Sequence, residues 1–136
     1  MIEKPLTPFE AIGEEKLHQL VDAFYTRVSQ HPDLAPIFPT GFNEIARKQK
    51  QFLTQYLGGP NLYTNEHGHP MMRARHLPFE ITPKRAKAWL ACMSEAMDEV
   101  DLSGRVREEF YSRLILTAQH MINTPDNSEE YDGDLM

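Results

Sequence analysis

The long apolar patterns in this chain recur at intervals of three and four residues, and no segment sustains the residue-by-residue alternation of a strand. From Glu14 to about Gln30, Leu17, Leu20, Val21, Phe24 and Val28 form one amphipathic face, closed by His31-Pro32. Thr7-Pro8-Phe9-Glu10 is a capping-box pattern with proline at the first helical position, and Gly13 can end that short turn. Asp33 to Phe38 is a compact connection closed by Pro39. A helix from about Asn43 to Leu57 follows, stopped by Gly58-Gly59-Pro60.

Residues 60–70 are polar and turn-rich and predict a loop, with one or two helical turns from Pro70 to His76. Thr82-Pro83 opens the next helix, which carries Trp89, Met93 and Met97 four apart. Ser103 is placed to cap the last helix, where Phe110, Leu114, Thr117, Ala118 and Met121 share a face. The pattern predicts an all-α protein.

The length of 136 residues suits one domain with a sizeable core. The last 13 residues carry five acids and no Lys or Arg, leaving 15 acids against 14 bases elsewhere. That division predicts a domain over residues 1–123 and a solvated, disordered acidic tail over 124–136. Without a basic stripe, nucleic acid is not expected as a partner. Cys92 is the only cysteine, so no internal disulfide can form and a reducing compartment is expected. Met1-Ile2-Glu3-Lys4-Pro5 has no signal-peptide run, and no stretch reaches the roughly 20 apolar residues of a membrane span. The expectation is a cytoplasmic protein with no membrane association.

Among residues that could carry chemistry, His76 stands between Arg75 and Leu77-Pro78-Phe79, at the end of a short helix. Neutral imidazole is the usual protein ligand of haem iron, and an adjacent arginine suits a carboxylate such as a haem propionate. Taken alone, such a histidine is more often a packed or surface group. Ile45, Gln49, Phe52, Leu53 and Tyr56 form a stripe with one amide inside it, and burying an amide requires a partner. Gln49 reads equally as a boundary residue. Tyr25, beside Phe24, brings a hydroxyl inward, a job that usually ends at a backbone carbonyl. Trp89 and Met93 make a flat polarisable wall that is more often plain core than a cofactor face. His67-Gly68-His69 is an incomplete zinc set in what reads as a mobile loop, and Cys92 reads as a buried structural thiol.

In order along the chain, these pieces resemble the group II truncated haemoglobins, bacterial proteins with a two-over-two helical globin fold, in their Bacillus-like form. The matching segments are Ala11-Ile12-Gly13, Phe24-Tyr25, Pro36-Ile37-Phe38-Pro39, Gln51-Phe52-Leu53 and Tyr56-Leu57-Gly58-Gly59-Pro60. They continue through Tyr63, Gly68-His69-Pro70, Arg75-His76-Leu77-Pro78-Phe79 and Ala88-Trp89-Leu90, so the resemblance covers roughly residues 5–123. It implies one haem b per chain with His76 as proximal ligand, and Tyr25, Gln49 and Trp89 around the distal ligand. It implies haem packing by Phe38, Phe52, Leu53, Met72, Phe79 and Met93, and propionate contacts from Lys48, Tyr63 and Arg75. Ile45 departs from the family pattern: it holds a distal position where many haemoglobins carry a gating histidine and group II members often a small residue.

The function so implied is reversible binding of oxygen, NO or CO at five-coordinate iron, with high affinity set by the distal donors. An alternative is a haem redox enzyme, peroxidase-like or an NO dioxygenase, served by a separate reductase. No distal histidine or arginine matches the first chemistry, and the chain holds no flavin or NAD domain for the second. A haem-free helical interaction module is the third reading. A monomer or weak homodimer is expected.

Overall fold

The computed structural model describes residues 6–38, 41–71 and 80–125. Six α-helices are present among them: α1 (Pro8–Ile12), α2 (Glu14–Gln30), α3 (Asn43–Tyr56), α4 (Leu62–His67), α5 (Pro83–Glu99) and α6 (Gly104–Met121). A short 3-10 turn, Ala35–Ile37, follows α2. No described residue is in a strand, and no described helix is long and apolar enough to cross a membrane.

The helices pair as two over two. The α2–α3 pair faces the α5–α6 pair, and the heaviest contact runs between α2 and α5. The predicted α2 face is the one buried: Leu17, Leu20, Val21, Phe24 and Val28 have no solvent exposure. They meet Met93, Ala96 and Met97 of α5, Leu53 of α3 and Phe110 and Leu114 of α6 in one core. Each large apolar side chain removed from water contributes roughly 1.5–3 kcal/mol, so this spine outweighs the indifferent helix propensity of its Val and Phe residues.

The capping box at α1 forms as expected: Glu10 N donates to Thr7 Oγ1 and Thr7 N to Glu10 Oε1. Gly58-Gly59 does more than stop α3. Gly58 adopts φ +97°, and a Cβ there would lie 2.9 Å from Thr7 Cβ. At Gly59 a Cβ would lie 2.8 Å from the Phe9 ring, while Phe9 N donates to Leu57 O. The glycine pair is therefore the cradle in which α1 docks.

Two expectations need correction. The predicted loop at residues 60–70 contains α4, and His67 ends that helix instead of lying in a loose turn. Its stability comes from α3: Gln55 accepts from Thr64 N and donates to Thr64 Oγ1, while Arg47 grips both Glu44 and Glu66. Ser103 occupies the N-cap of α6, but its side chain makes no capping bond. The predicted turns from Pro70 to His76 lie almost wholly outside the described residues, as does the acidic tail beyond Pro125. Thr124 N donates to Ile81 O.

Two outcomes follow from this framework. Gly59→Ala should cost about 1–3 kcal/mol in urea unfolding, because Phe9 and Thr54 must both give way to the new methyl. The hydrogen bonds from Arg47 and then Gln51 hold the Glu66 carboxyl down at about 2, below its ordinary 4.5. A depressed carboxyl stabilises the fold above its unfolded pKa, so α4 should loosen as pH falls from about 4.5 towards 2. Thr64 amide exchange should record this, and Glu66→Gln should abolish the pH dependence.

Candidate haem and ligand site

A cavity of about 400 Å³ opens between the two helix pairs. Tyr25, Phe38, Ile45, Lys48, Gln49, Phe52, Leu53, Tyr63 and Trp89, nine of the residues singled out in the sequence, all line it. Helical spacing explains the α3 share, since Ile45, Gln49, Phe52, Leu53 and Tyr56 recur at one-turn and two-turn steps on one face.

Met93 is different. It is fully buried in the core and is not among the lining residues, because its position one turn beyond Trp89 points it into the α2–α5 interface. Met72, Arg75, His76 and Phe79 lie outside the described residues. The lining also includes residues not singled out as site residues, among them Ile37, Ile81, Arg85, Ala86 and Thr117. Of these, Ile37 belongs to the Pro36–Pro39 segment of the resemblance and Thr117 to the shared face of the last helix, while Arg85 stands as a cation in the first turn of a helix, where the helix dipole disfavours positive charge.

Aromatic packing fixes the polar groups. The buried Phe24 ring meets the Tyr25 ring edge-on at 4.9 Å and the Trp89 ring edge-on at 5.2 Å, so one residue braces both. Tyr25 also touches Phe38 and Phe42, and on the α3–α4 side Phe52 meets Tyr56 and Tyr63. The Tyr25–Phe38 and Phe52–Tyr63 pairs are edge-to-face and the other two tilted, and such packing restricts ring orientation as well as burying area.

No described residue hydrogen-bonds to the Tyr25 hydroxyl, the Trp89 indole N–H or the Gln49 amide. Burial pushes the Tyr25 phenol well above its ordinary value, so it stays protonated and remains a donor. Lys48, also in the lining, makes no ion pair with a described residue. By contrast His67 is spoken for: its Nε2 donates to Gln51 Oε1 at 2.8 Å and lies 3.1 Å from Glu66. Among the described residues no group of three or more His, Cys, Asp or Glu side chains is placed to hold a metal. Cys92 is buried, and burial pushes its thiol up, away from the reactive thiolate.

The bacterial-like globin family model matches residues 7–123. Over 116 residues the chain is 69% identical to the group 2 truncated hemoglobin YjbI of Bacillus subtilis, covering 85% of this chain and 88% of that protein. The chain is a group II truncated haemoglobin.

Solved relatives agree on the fold. The crystal structure of the group II truncated hemoglobin of Bacillus anthracis superposes with a TM-score of 0.91 at 67% identity, over 94% of this chain and 99% of that one. The truncated oxygen-avid haemoglobin of Bacillus subtilis gives 0.85 at 68% identity, over 87% and 100%. Membership of the globins implies haem binding, and the cavity fits that group. Its walls are mainly aromatic and aliphatic, as a planar apolar macrocycle requires, and Lys48 offers a countercharge for its carboxylates. Tyr25, Gln49 and Trp89 bring polar groups to its lining, none of them hydrogen-bonded to a described residue.

One buried phenol should resist alkaline titration. Phenolate absorbance should show Tyr25 still neutral beyond pH ~10, where exposed tyrosines ionise, and Tyr25→Phe should remove that late component. Because the folded value is raised, any effect of Tyr25 on stability is a loss as pH rises above about 10, with none at neutral pH.

Proposed function

We propose that this globin holds one haem b per chain through His76 and reversibly binds oxygen, with NO and CO as further ligands. The observation that carries the reading is the convergence of three partnerless donors on one apolar cavity. Haem supplies the iron to which a diatomic ligand binds. The chain supplies the environment that decides how long it stays.

Tyr25 Oη and Trp89 Nε1 each have a single proton to give, and Gln49 can donate to the ligand or orient the tyrosine. Donors held in place by rings around them do not have to reorganise, so their bonds to a ligand carrying negative charge are strong. Lys48 and Tyr63 at the cavity, with Arg75, engage the propionates. Phe38, Phe52 and Leu53 pack on the macrocycle, joined by Met72 and Phe79. Ile45 lines the cavity without offering a donor, so it narrows direct access while leaving polar stabilisation to the other three. The oxygen avidity named for the Bacillus subtilis relative supports the same reading.

The redox alternatives receive less support. The described lining residues include no imidazole and no carboxyl, the groups that acid–base work on peroxide calls for. NO dioxygenation would need electrons from a separate reductase.

Two measurements test the proposal. Haemin titrated into the protein should give a Soret band saturating at one equivalent, with His76→Ala failing to give the native spectrum. No Soret band at stoichiometric haem would overturn the haem reading. In stopped flow, Tyr25→Phe or Trp89→Phe should speed oxygen release about ten- to a hundredfold, the equivalent of losing one charge-assisted bond of ~1.5–3 kcal/mol. Unchanged release in both would remove the distal assignment.

A further inference from the structure

Arg85 sits in the first turn of α5, two residues past the Pro83 that opens it, and Lys84 stands beside it. No acid accompanies them in that turn. Cations at a helix N-terminus oppose the helix dipole, so their presence calls for a local partner strong enough to offset it.

Arg85 has two such partners, and they belong to different parts of the chain. Its Nε donates to Asp33 O at 3.1 Å, and its Nη1 to Glu80 O at 2.6 Å. The Glu80 carboxylate is 3.8 Å away and exposed, a minor attraction beside the two carbonyls. Asp33 is further held by its own N–H on His31 Nδ1, whereas the mostly exposed Lys84 comes only to 3.8 Å of its carboxylate, too weak a contact to fix the carbonyl. Asp33 immediately precedes Leu34, Ile37 and Phe38, which line the cavity. On the other side, Glu80 precedes Ile81, also in the lining. Ile81 is clamped by the end of the chain: its N–H donates to Asn123 Oδ1, and its carbonyl accepts from Asn123 N and Thr124 N.

We propose that Arg85 is a positioning residue that ties the corner after α2 to the Glu80–Ile81 segment and so fixes the separation of two cavity walls. The guanidinium is suited to this because Nε and Nη1 lie on one rigid plane, so the two carbonyls cannot move independently of each other. Its side chain is one-quarter exposed, which keeps the bonds partly sheltered from competing water. The arginine also lines the cavity one helical turn before Trp89, so the bridge shares α5 with a distal donor. Only three residues separate His76 from Glu80, so the bridge lies a short covalent distance from the proposed proximal ligand. Any effect on ligand release rests on the haem reading above; the bridge itself does not.

The test is site-resolved amide exchange on the haem-loaded protein, with oxygen release measured in parallel. Three variants are compared: Arg85→Met, Arg85→Lys and Lys84→Met. Arg85→Met removes every donor while keeping a long apolar stem. The amides of Leu34, Ile37 and Phe38 and the amide of Ile81 should all exchange about tenfold faster, with buried α2 and α6 amides unchanged. Arg85→Lys keeps the charge and should fold normally, but one ammonium cannot span both carbonyls in a fixed plane, so at least one wall should still loosen. Lys84→Met should change neither wall. Oxygen release should change in Arg85→Met and stay at the parent rate in Lys84→Met.

Acceleration spread across all helices together with a lowered unfolding midpoint would show a merely structural arginine and overturn the proposal. So would loosening of one wall alone in Arg85→Met, or full protection of both walls in Arg85→Lys. If the parent chain takes up no haem, the haem reading fails, while exchange on the chain as purified still decides the bridge.

Discussion

The α2–α5 contact is the interaction on which the site depends, and Phe24 is its centre. A ring with no solvent exposure meets Tyr25 on its own helix and Trp89 on the facing one. Apolar burial thus provides both the stability of the two-over-two arrangement and the spacing of two donors. The same packing holds the Tyr25 ring in the cavity wall with little of it exposed.

Much of the fold was legible because its signals are local. The Thr7–Glu10 box, the Thr82-Pro83 start and the Gly58-Gly59 stop act within a few residues, and the structure reproduces each. Where the sequence misled, the cause was distance. Residues 62–67 have weak periodicity, and their helix is held by Gln55 and Arg47 reaching across from α3. Ser103 looks like a cap and stands at the N-cap of α6, yet its hydroxyl makes no bond to the first-turn amides. The glycine pair reads as a terminator, while its role as a cradle for Phe9 depends on a residue about fifty positions earlier.

The candidate site shows the same division. Tyr25, Gln49 and Phe52 follow from helical faces, and Trp89 from a large side chain at core spacing. Met93 has the same spacing credentials as Trp89 but belongs to the core, because one more turn along α5 carries it past the cavity edge and into the α2 interface. Periodicity tells which face a residue is on; it does not tell where along that face the cavity stops.

Arg85 illustrates a contact that pattern reading cannot reach, because both of its partners are backbone carbonyls. Every residue has one, so no side-chain motif marks Asp33 or Glu80 as acceptors. The only sequence trace is a cation at the wrong end of a helix dipole. Direction matters more than strength in such a bond: apolar packing of α2 on α5 resists separation yet permits small sliding, whereas a planar fork resists both. The globin is therefore held at its centre by burial and at the start of α5 by geometry, and the walls that would flank a bound haem are joined where burial alone would leave them free to shift.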